Sequence, residues 1–346
     1  MIFSTSILNR VVTTSVVTAA VAFGPIFTAV AQAQAVNGAG ATFPAPLYER
    51  YAREIRKKNP NLSLNYQGIG SGGGIRQFTA GTVDFGGSDA AMTDDQIAKV
   101  KNGVILVPTA GGAVAVVYNL PGVKELRLSR KVLPAIFTGQ ITRWDDAQIK
   151  ADNPGVNLPG TSIRGIVRAD SSGTTFIFTN HLSSINPYFK GRIGANTAPK
   201  WTIPNILRAK GNPGVAASVR STPGSIGYVE YQYARTNNLT SALVQNKQGQ
   251  YVAPSLESAN QALSDVQFPE NYRVFVGDPS QGYPIVGLTW MLIYRNYANA
   301  AKGSAVKAMV NWVLTDGQQF NDDLNYTRIP APVAQKVIQT VNSAIK

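Results

Sequence analysis

LSLNYQGIGSGGGIRQFTA, residues 62–80, is the stretch on which the fold reading turns. Leu62, Leu64 and Tyr66 alternate with polar residues as one face of a strand, and residues 75–80 read as a helix. Between them, residues 68–74 spell GIGSGGG, a glycine-rich connection. A strand handed through a glycine turn into a helix is the repeating unit of α/β folds. The alternation continues on both sides. Residues 46–58 read as a helix and 83–86 as a short strand ending at Ser88-Asp89. Thr93-Asp94-Asp95-Gln96 forms a capping box that opens a helix, and Asp145-Asp146-Ala147-Gln148 opens another. These paired carboxylates are helix starts favoured by the macrodipole, not acid/base pairs.

Strands are expected at 113–118, 162–167, 272–276 and 284–294, and a helix at 172–184. A hairpin joins 243–245 to 250–252 around a Lys-Gln-Gly turn, and two helices close the chain near 304–314 and 331–345. At 346 residues there is room for two domains. The sequence shows neither an internal repeat nor a low-complexity linker, so the chain is expected to cross between its domains more than once.

Composition narrows the chemistry. Hydrophobic content of 44% with 15% charged residues describes a globular chain. With no Cys and a single His, a disulfide scaffold, a thiolate metal site and a lipidated N-terminal Cys are excluded, and no metal or cofactor is expected. The net charge of +13 is compatible with anionic partners. Its densest patch, Arg50, Arg53, Arg56, Lys57 and Lys58, sits opposite Leu47, Tyr51 and Ile55 on one helix. That is an ordinary solvated helix face, and without interleaved aromatics it is no nucleic-acid platform. Residues 1–35 read as a cleaved secretory signal: Arg10, an apolar stretch over 11–30, then Ala-Gln-Ala-Gln-Ala with cleavage after Ala33 or Ala35. The chain is therefore expected to be exported.

Four segments put small polar residues, glycines or one well-placed charge at element ends: 38–43 (GAGATF), 68–74, 84–89 (DFGGSD) and 168–174 (RADSSGT). Gly68-x-Gly70-x-x-Gly73 formally matches a dinucleotide fingerprint, with Asp89 near the ribose-binding distance, but an exported protein rarely meets such a cofactor. The more general physics is an anion cradle, in which glycines let backbone N–H groups converge at a helix N-terminus. Ser71 adds a hydroxyl, and Ser172-Gly173-Thr174 repeats the arrangement with Arg168 just upstream and Asp170 between them. Arg offers a planar fork of donors suited to a tetrahedral oxyanion. A carboxylate such as Asp89 beside an anion costs binding unless the anion brings a proton to share. Hydrogen phosphate does and sulfate does not.

Together these segments resemble the PstS family of periplasmic phosphate-binding proteins. The likeness runs through GAGATFPAPLY at 38–48, NYQGIGSGGG at 65–74, VDFGGSDAAM at 83–92, IFTGQITRWDD at 136–146 and RADSSGTTFIF at 168–178. GSIGYVEY at 224–231 and YPIVGLTWMLI at 283–293 extend it. The resemblance implies a type II periplasmic binding-protein fold: 36–108 with 284–346 as one lobe, 109–283 as the other, and ligand in the cleft. It implies phosphate ligands Thr42, Phe43 (through its main-chain N–H), Ser71, Asp89, Arg168, Ser172, Gly173 and Thr174, with Asp170 orienting the arginine. It further implies a non-catalytic, monomeric periplasmic receptor that hands inorganic phosphate to the membrane permease of an ABC transporter. The departures from the family blocks are Gly72 and Ser171, beside the cradle, and the missing lipidation Cys.

Two other functions remain open at this level. A secreted hydrolase would need His181 as its base, one helical stretch past Ser172, and no G-x-S-x-G elbow is present. A receptor for another oxyanion such as arsenate, or a sensing or adhesion role, would keep the fold.

Overall fold

The computed structural model describes residues 34–345, so all of the expected leader except Gln34 and Ala35 lies outside the described residues. The strands are β1 (Gln34–Gly40), β2 (Leu62–Gly68), β3 (Phe85–Ser88), β4 (Val104–Asn119), β5 (Arg127–Leu128), β6 (Arg164–Arg168) and β7 (Leu207–Ala209). They continue as β8 (Ser225–Glu230), β9 (Thr240–Ser241), β10 (Leu243–Gln245), β11 (Tyr251–Val252) and β12 (Val286–Tyr294). Among the described residues, nine of them form one sheet in the order β2-β1-β3-β12-β4-β8-β6-β7, with β9 also on β4. Both flanks are parallel, as βαβ units require, whereas the central strands β3, β12, β4 and β8 pair antiparallel. Strands β10 and β11 make the expected hairpin.

The helices begin with α1 (Ala45–Lys58), α2 (Ser71–Ala80), α3 (Asp94–Ile97), α4 (Val132–Phe137), α5 (Ala147–Asp152) and α6 (Gly173–Ile185). After them come α7 (Pro187–Arg192), α8 (Gly211–Ser221), α9 (Tyr231–Thr236), α10 (Leu256–Leu263), α11 (Ala300–Leu314) and α12 (Ala331–Ala344). In α1, Leu47, Tyr48, Tyr51 and Ile55 are buried, and Arg50 on the other face pairs with Glu54 at 3.0 Å. The Thr93–Gln96 capping box opens α3 as expected. Asp146 caps α5 through the Gln148 N–H, and Asp145 pairs with Arg143.

Three sequence expectations change. Residues 113–118 are only the end of β4, which starts at Val104 and runs for 16 residues. Its first part pairs with β12 up to Ala113 and its last part with β8 from Val114, so one continuous strand serves both flanks. Within it, Pro108 faces Trp290 and Ala110 faces Thr289, which leaves Thr109 as an extra residue where the register shifts. Such irregularities re-aim a side chain. Here Thr289 is turned onto Asp89, as described below. The expected strand at 272–276 is absent: Tyr272 adopts φ 54°, and its carbonyl accepts the Trp290 indole N–H at 2.9 Å instead of a ladder bond. Finally, α2 starts at Ser71, so SGGG is the first helical turn and the loop shrinks to Ile69-Gly70.

Candidate functional site

The end of β1, the start of α2, the end of β3, the end of β6 and the start of α6 converge, and they bring every predicted ligand into one buried cluster. Thr42, Phe43, Ser71, Asp89, Arg168, Ser172 and Thr174 are each at most 5% exposed. A Cβ placed on Gly173 would stand 2.6 Å from Ser71 Oγ and 2.7 Å from Asp89 Oδ2, so glycine there permits the two sides to meet.

Arg168 is the cation of the cluster. Asp170 accepts its Nε at 2.9 Å and its Nη2, and the same Asp170 Oδ1 also takes the Gly211 N–H at 2.9 Å. Burial pushes the Asp170 pKa up, but the hydrogen bonds and charge of Arg168 outweigh this and hold it below the usual value. Asp170 therefore stays anionic and locks the guanidinium plane. Nη1 of Arg168 is buried and makes no hydrogen bond within the described residues. A buried, unfilled donor on a fixed guanidinium calls for an acceptor from outside the protein.

Asp89 is the opposing group. Its Oδ1 accepts the Thr289 hydroxyl at 2.8 Å. Burial raises its pKa to about 7, against the lowering effect of Thr289, Arg168, Ser71 and Thr174. Near neutral pH this carboxyl therefore takes up or shares a proton easily.

The hydroxyls are set as donors. Ser71 Oγ accepts the N–H groups of Gly173 at 3.0 Å and Asp89 at 3.3 Å. A hydroxyl has two lone pairs and one proton, so with both pairs filled its proton can only be given away. Ser172 caps α6 by accepting the Thr175 N–H at 3.0 Å. For Phe43 the control is indirect. Tyr233 Oη donates to the Thr42 carbonyl at 2.7 Å, and a trans peptide then points the Phe43 N–H the opposite way. Tyr326 Oη holds the Phe43 carbonyl at 2.7 Å.

The glycine loop does less than its sequence suggests. Ile69 and Gly70 give their N–H groups to the Gly40 carbonyl at 2.8 Å, and Gly74 bonds within its own helix. The expected convergence of glycine N–H groups is narrowed: those of Gly70, Gly72 and Gly74 bond within the protein, and Ser71 is the loop residue whose hydroxyl faces the cluster. The glycines serve close approach instead. A Cβ on Gly70, where φ is +90°, would meet Asp170 at 2.1 Å. Gly72 gives its N–H to the Ser171 carbonyl at 3.0 Å, and a Cβ there would stand 2.5 Å from the Ser171 side chain. The two departures from the family blocks therefore face each other, and a side chain at one leaves no room for a side chain at the other.

Sequence reasoning missed the layer behind these ligands: Asn212 at the start of α8, Thr289 on β12, and Glu230, Tyr233 and Tyr326. Asn212, Glu230, Thr289 and Tyr326 are fully buried. Burial drives the Glu230 pKa well above the carboxylate range; its Oε1 accepts from the Gln232 N–H, and its Oε2 lies 3.0 Å from Tyr326 Oη. The signal for Asn212 was there in Lys210-Gly211-Asn212-Pro213-Gly214, another small polar and glycine cluster opening a helix. Two grooves, of about 740 Å³ and 520 Å³, lie outside the cluster and include none of the predicted ligands.

His181 is 1% exposed, and its Nδ1 lies 2.8 Å from the Gly277 carbonyl. Nine residues separate it from Ser172 along α6, about 13 Å of helix rise, which is out of reach for a Ser–His pair. Burial, opposed by the Gly277 hydrogen bond, pulls its pKa down to about 4. Because the folded-state pKa lies below the unfolded one, the stability it permits is present above pH 6.5 and is lost as pH falls towards 4. The loss is on the order of 3 kcal/mol. Urea denaturation at pH 7 and pH 4.5 should show a smaller acid loss in His181→Gln, which can still donate to Gly277.

A family model described as the PBP superfamily domain matches residues 28–316. The phosphate-binding protein PstS of Haemophilus influenzae is 39% identical over 315 residues, covering 89% of this chain and 92% of that protein. PstS of Pasteurella multocida is 38% identical over 319 residues, covering 90% and 91%. A solved high-affinity periplasmic phosphate-binding protein (PfluDING), bound with phosphate, matches with a TM-score of 0.76 at 22% identity. That match covers 89% of this chain and 94% of the other.

Proposed function

The chain belongs to the PBP superfamily and to the PstS family of phosphate-binding proteins, and on that premise we propose that it captures inorganic phosphate and delivers it to an ABC-type phosphate importer. Its fold is the type II periplasmic binding-protein fold, two α/β lobes joined by two strands with the ligand in the cleft. The lobes are 36–108 with 284–346, and 109–283. Strand β4, whose two parts pair with different flanks, and β12, which begins at Val286, support this division.

The observation that carries the function is Arg168, buried with one unfilled nitrogen near a Ser71 hydroxyl that can only donate, opposite a carboxyl that shares a proton at neutral pH. Phosphate is held by Thr42, the Phe43 N–H, Ser71, Arg168 and Ser172–Thr174, and its remaining proton goes to Asp89. It closes the cleft by bridging donors that neither lobe supplies alone. The protein acts as a monomeric receptor without catalysis, and its partner is the membrane permease. It works in the periplasm after removal of the leader. Gln34 and Ala35 belong to strand β1, which supports cleavage after Ala33 over Ala35.

Isothermal calorimetry tests this directly. Phosphate should bind tightly at a single site while sulfate gives no heat at the same concentration. Silence with phosphate, or equal affinity for both anions, would reject the reading.

A further inference from the structure

Asn212 is fully buried, at the start of α8, and touches both sides of the cluster. Its Oδ1 accepts the Glu230 N–H at 2.9 Å. An amide N–H can only donate, so the orientation of the Asn212 side chain is fixed and its Nδ2 must face the other way. There, Nδ2 donates to Thr42 Oγ1 at 3.0 Å and to Thr174 Oγ1 at 3.1 Å. The Asn212 backbone N–H is a second donor to Thr42 Oγ1, also at 3.0 Å. Thr42 follows β1 on one flank of the sheet, whereas Thr174 and Asn212 belong to helices of the other flank. The bonds to Thr42 therefore span the cleft.

We propose that Asn212 is a positioning residue for phosphate capture: it fills both lone pairs of Thr42 and one of Thr174, so that the Thr42 hydroxyl can only donate and the Thr174 hydroxyl is biased towards donating to the bound oxyanion, and it ties the cleft shut. The inference rests on the phosphate reading above. Both lone pairs of the Thr42 hydroxyl are occupied, so its proton must find an acceptor. Thr174 is constrained on one side in the same way. A hydroxyl free to rotate could offer a lone pair to the anion, and an asparagine here removes that option at Thr42. Asn212 does not itself touch the ligand in this scheme.

Calorimetry on Thr42→Val, Asn212→Ala and the double variant tests the proposal. Asn212→Ala should weaken phosphate roughly thirtyfold, the scale set by losing buried hydrogen bonds. In the Thr42→Val background, which has no hydroxyl at 42 to orient, the same change should weaken phosphate by at least about threefold less. Equal losses in both backgrounds, or an unchanged Kd for Asn212→Ala, would overturn the proposal.

Should Asn212→Ala fail to fold, the near-isosteric Asn212→Asp replaces it. A carboxylate there would accept from the threonines and turn their protons away from the anion, whereas its protonated form regains one donor. The ratio of variant to wild-type Kd should then fall between pH 8 and pH 5. Asp89, Arg168, Asp170, Glu230, Tyr233 and Tyr326, the charged and titratable groups of the cluster and of the layer behind it, are the same in both proteins, so the ratio isolates the substitution. A ratio that stays flat with pH would overturn the proposal. Wild type that binds no phosphate would instead remove the reading on which the inference rests.

Discussion

Arg168→Ala should lower phosphate affinity by two to four orders of magnitude, measured by calorimetry or by competition with labelled phosphate. The guanidinium is 4% exposed and its geometry is already fixed by Asp170. Charge-assisted hydrogen bonds contribute about 1.5–3 kcal/mol each, and truncating one partner of a buried charged contact costs roughly 2–5 kcal/mol. The upper part of that range applies, because the alanine leaves Asp170 and Asp89 facing an anion with no cation between them. Arg168→Lys separates charge from shape. It keeps the positive charge but not the planar fork that Asp170 grips, so it should recover only part of the lost affinity. Full recovery by lysine would mean that the unfilled Nη1 has no bearing on binding.

Asp89→Asn should act on selectivity more than on affinity. On the proposed function, the wild-type carboxylate accepts the proton of hydrogen phosphate and repels sulfate, which has none to offer. The amide can turn its NH2 toward a fully deprotonated anion. Phosphate should weaken by about tenfold, the scale of one buried hydrogen bond. Sulfate should gain, and the phosphate-to-sulfate ratio should fall at least about a hundredfold, since sites built on paired polar groups discriminate on that scale or beyond. The sign with pH follows from the raised pKa of Asp89, about 7. Above that value the group is an acceptor and excludes sulfate; below it the group carries its own proton and becomes a donor. Sulfate binding by wild type should therefore strengthen as pH falls through about 7, and in Asp89→Asn it should lose that dependence. A wild-type sulfate affinity that is flat across this range would refute the proton-sharing account.

The parts of this molecule that were legible in its sequence are those whose cause is local. A capping box at Thr93–Gln96, the apolar stripe of α1 and the hairpin of β10 and β11 each announce themselves within a few residues. The candidate ligands were legible for a similar reason, since they sit at element ends where small polar residues and glycines cluster. What was hidden depends on partners far along the chain. Thr289 lies 200 residues from Asp89 and reads as one more strand residue until the register shift beside Thr109 turns it inward. Asn212 lies 170 residues from Thr42 and touches only residues that themselves serve the site. The first half of β4 escaped because Pro108, Gly111 and Gly112 interrupt its strand character, although its pairing with β12 overrides them. The GIGSGGG loop was only partly legible for the opposite reason: its local signal suggests a row of N–H donors, and the fold assigns those of Gly70 and Gly72 to Gly40 and Ser171.

Those same contacts have a consequence for timing. Around Ser71 the seam is closed by backbone: Gly72 bonded to Ser171, and Gly70 lying against Asp170 with no side chain between them. Phosphate held behind such a seam leaves when the seam parts. On the proposed two-lobe reading, the rate of hinge opening then sets the upper limit on the escape rate. A permease partner, as proposed, would then not need to compete for the phosphate; holding the two lobes apart would suffice.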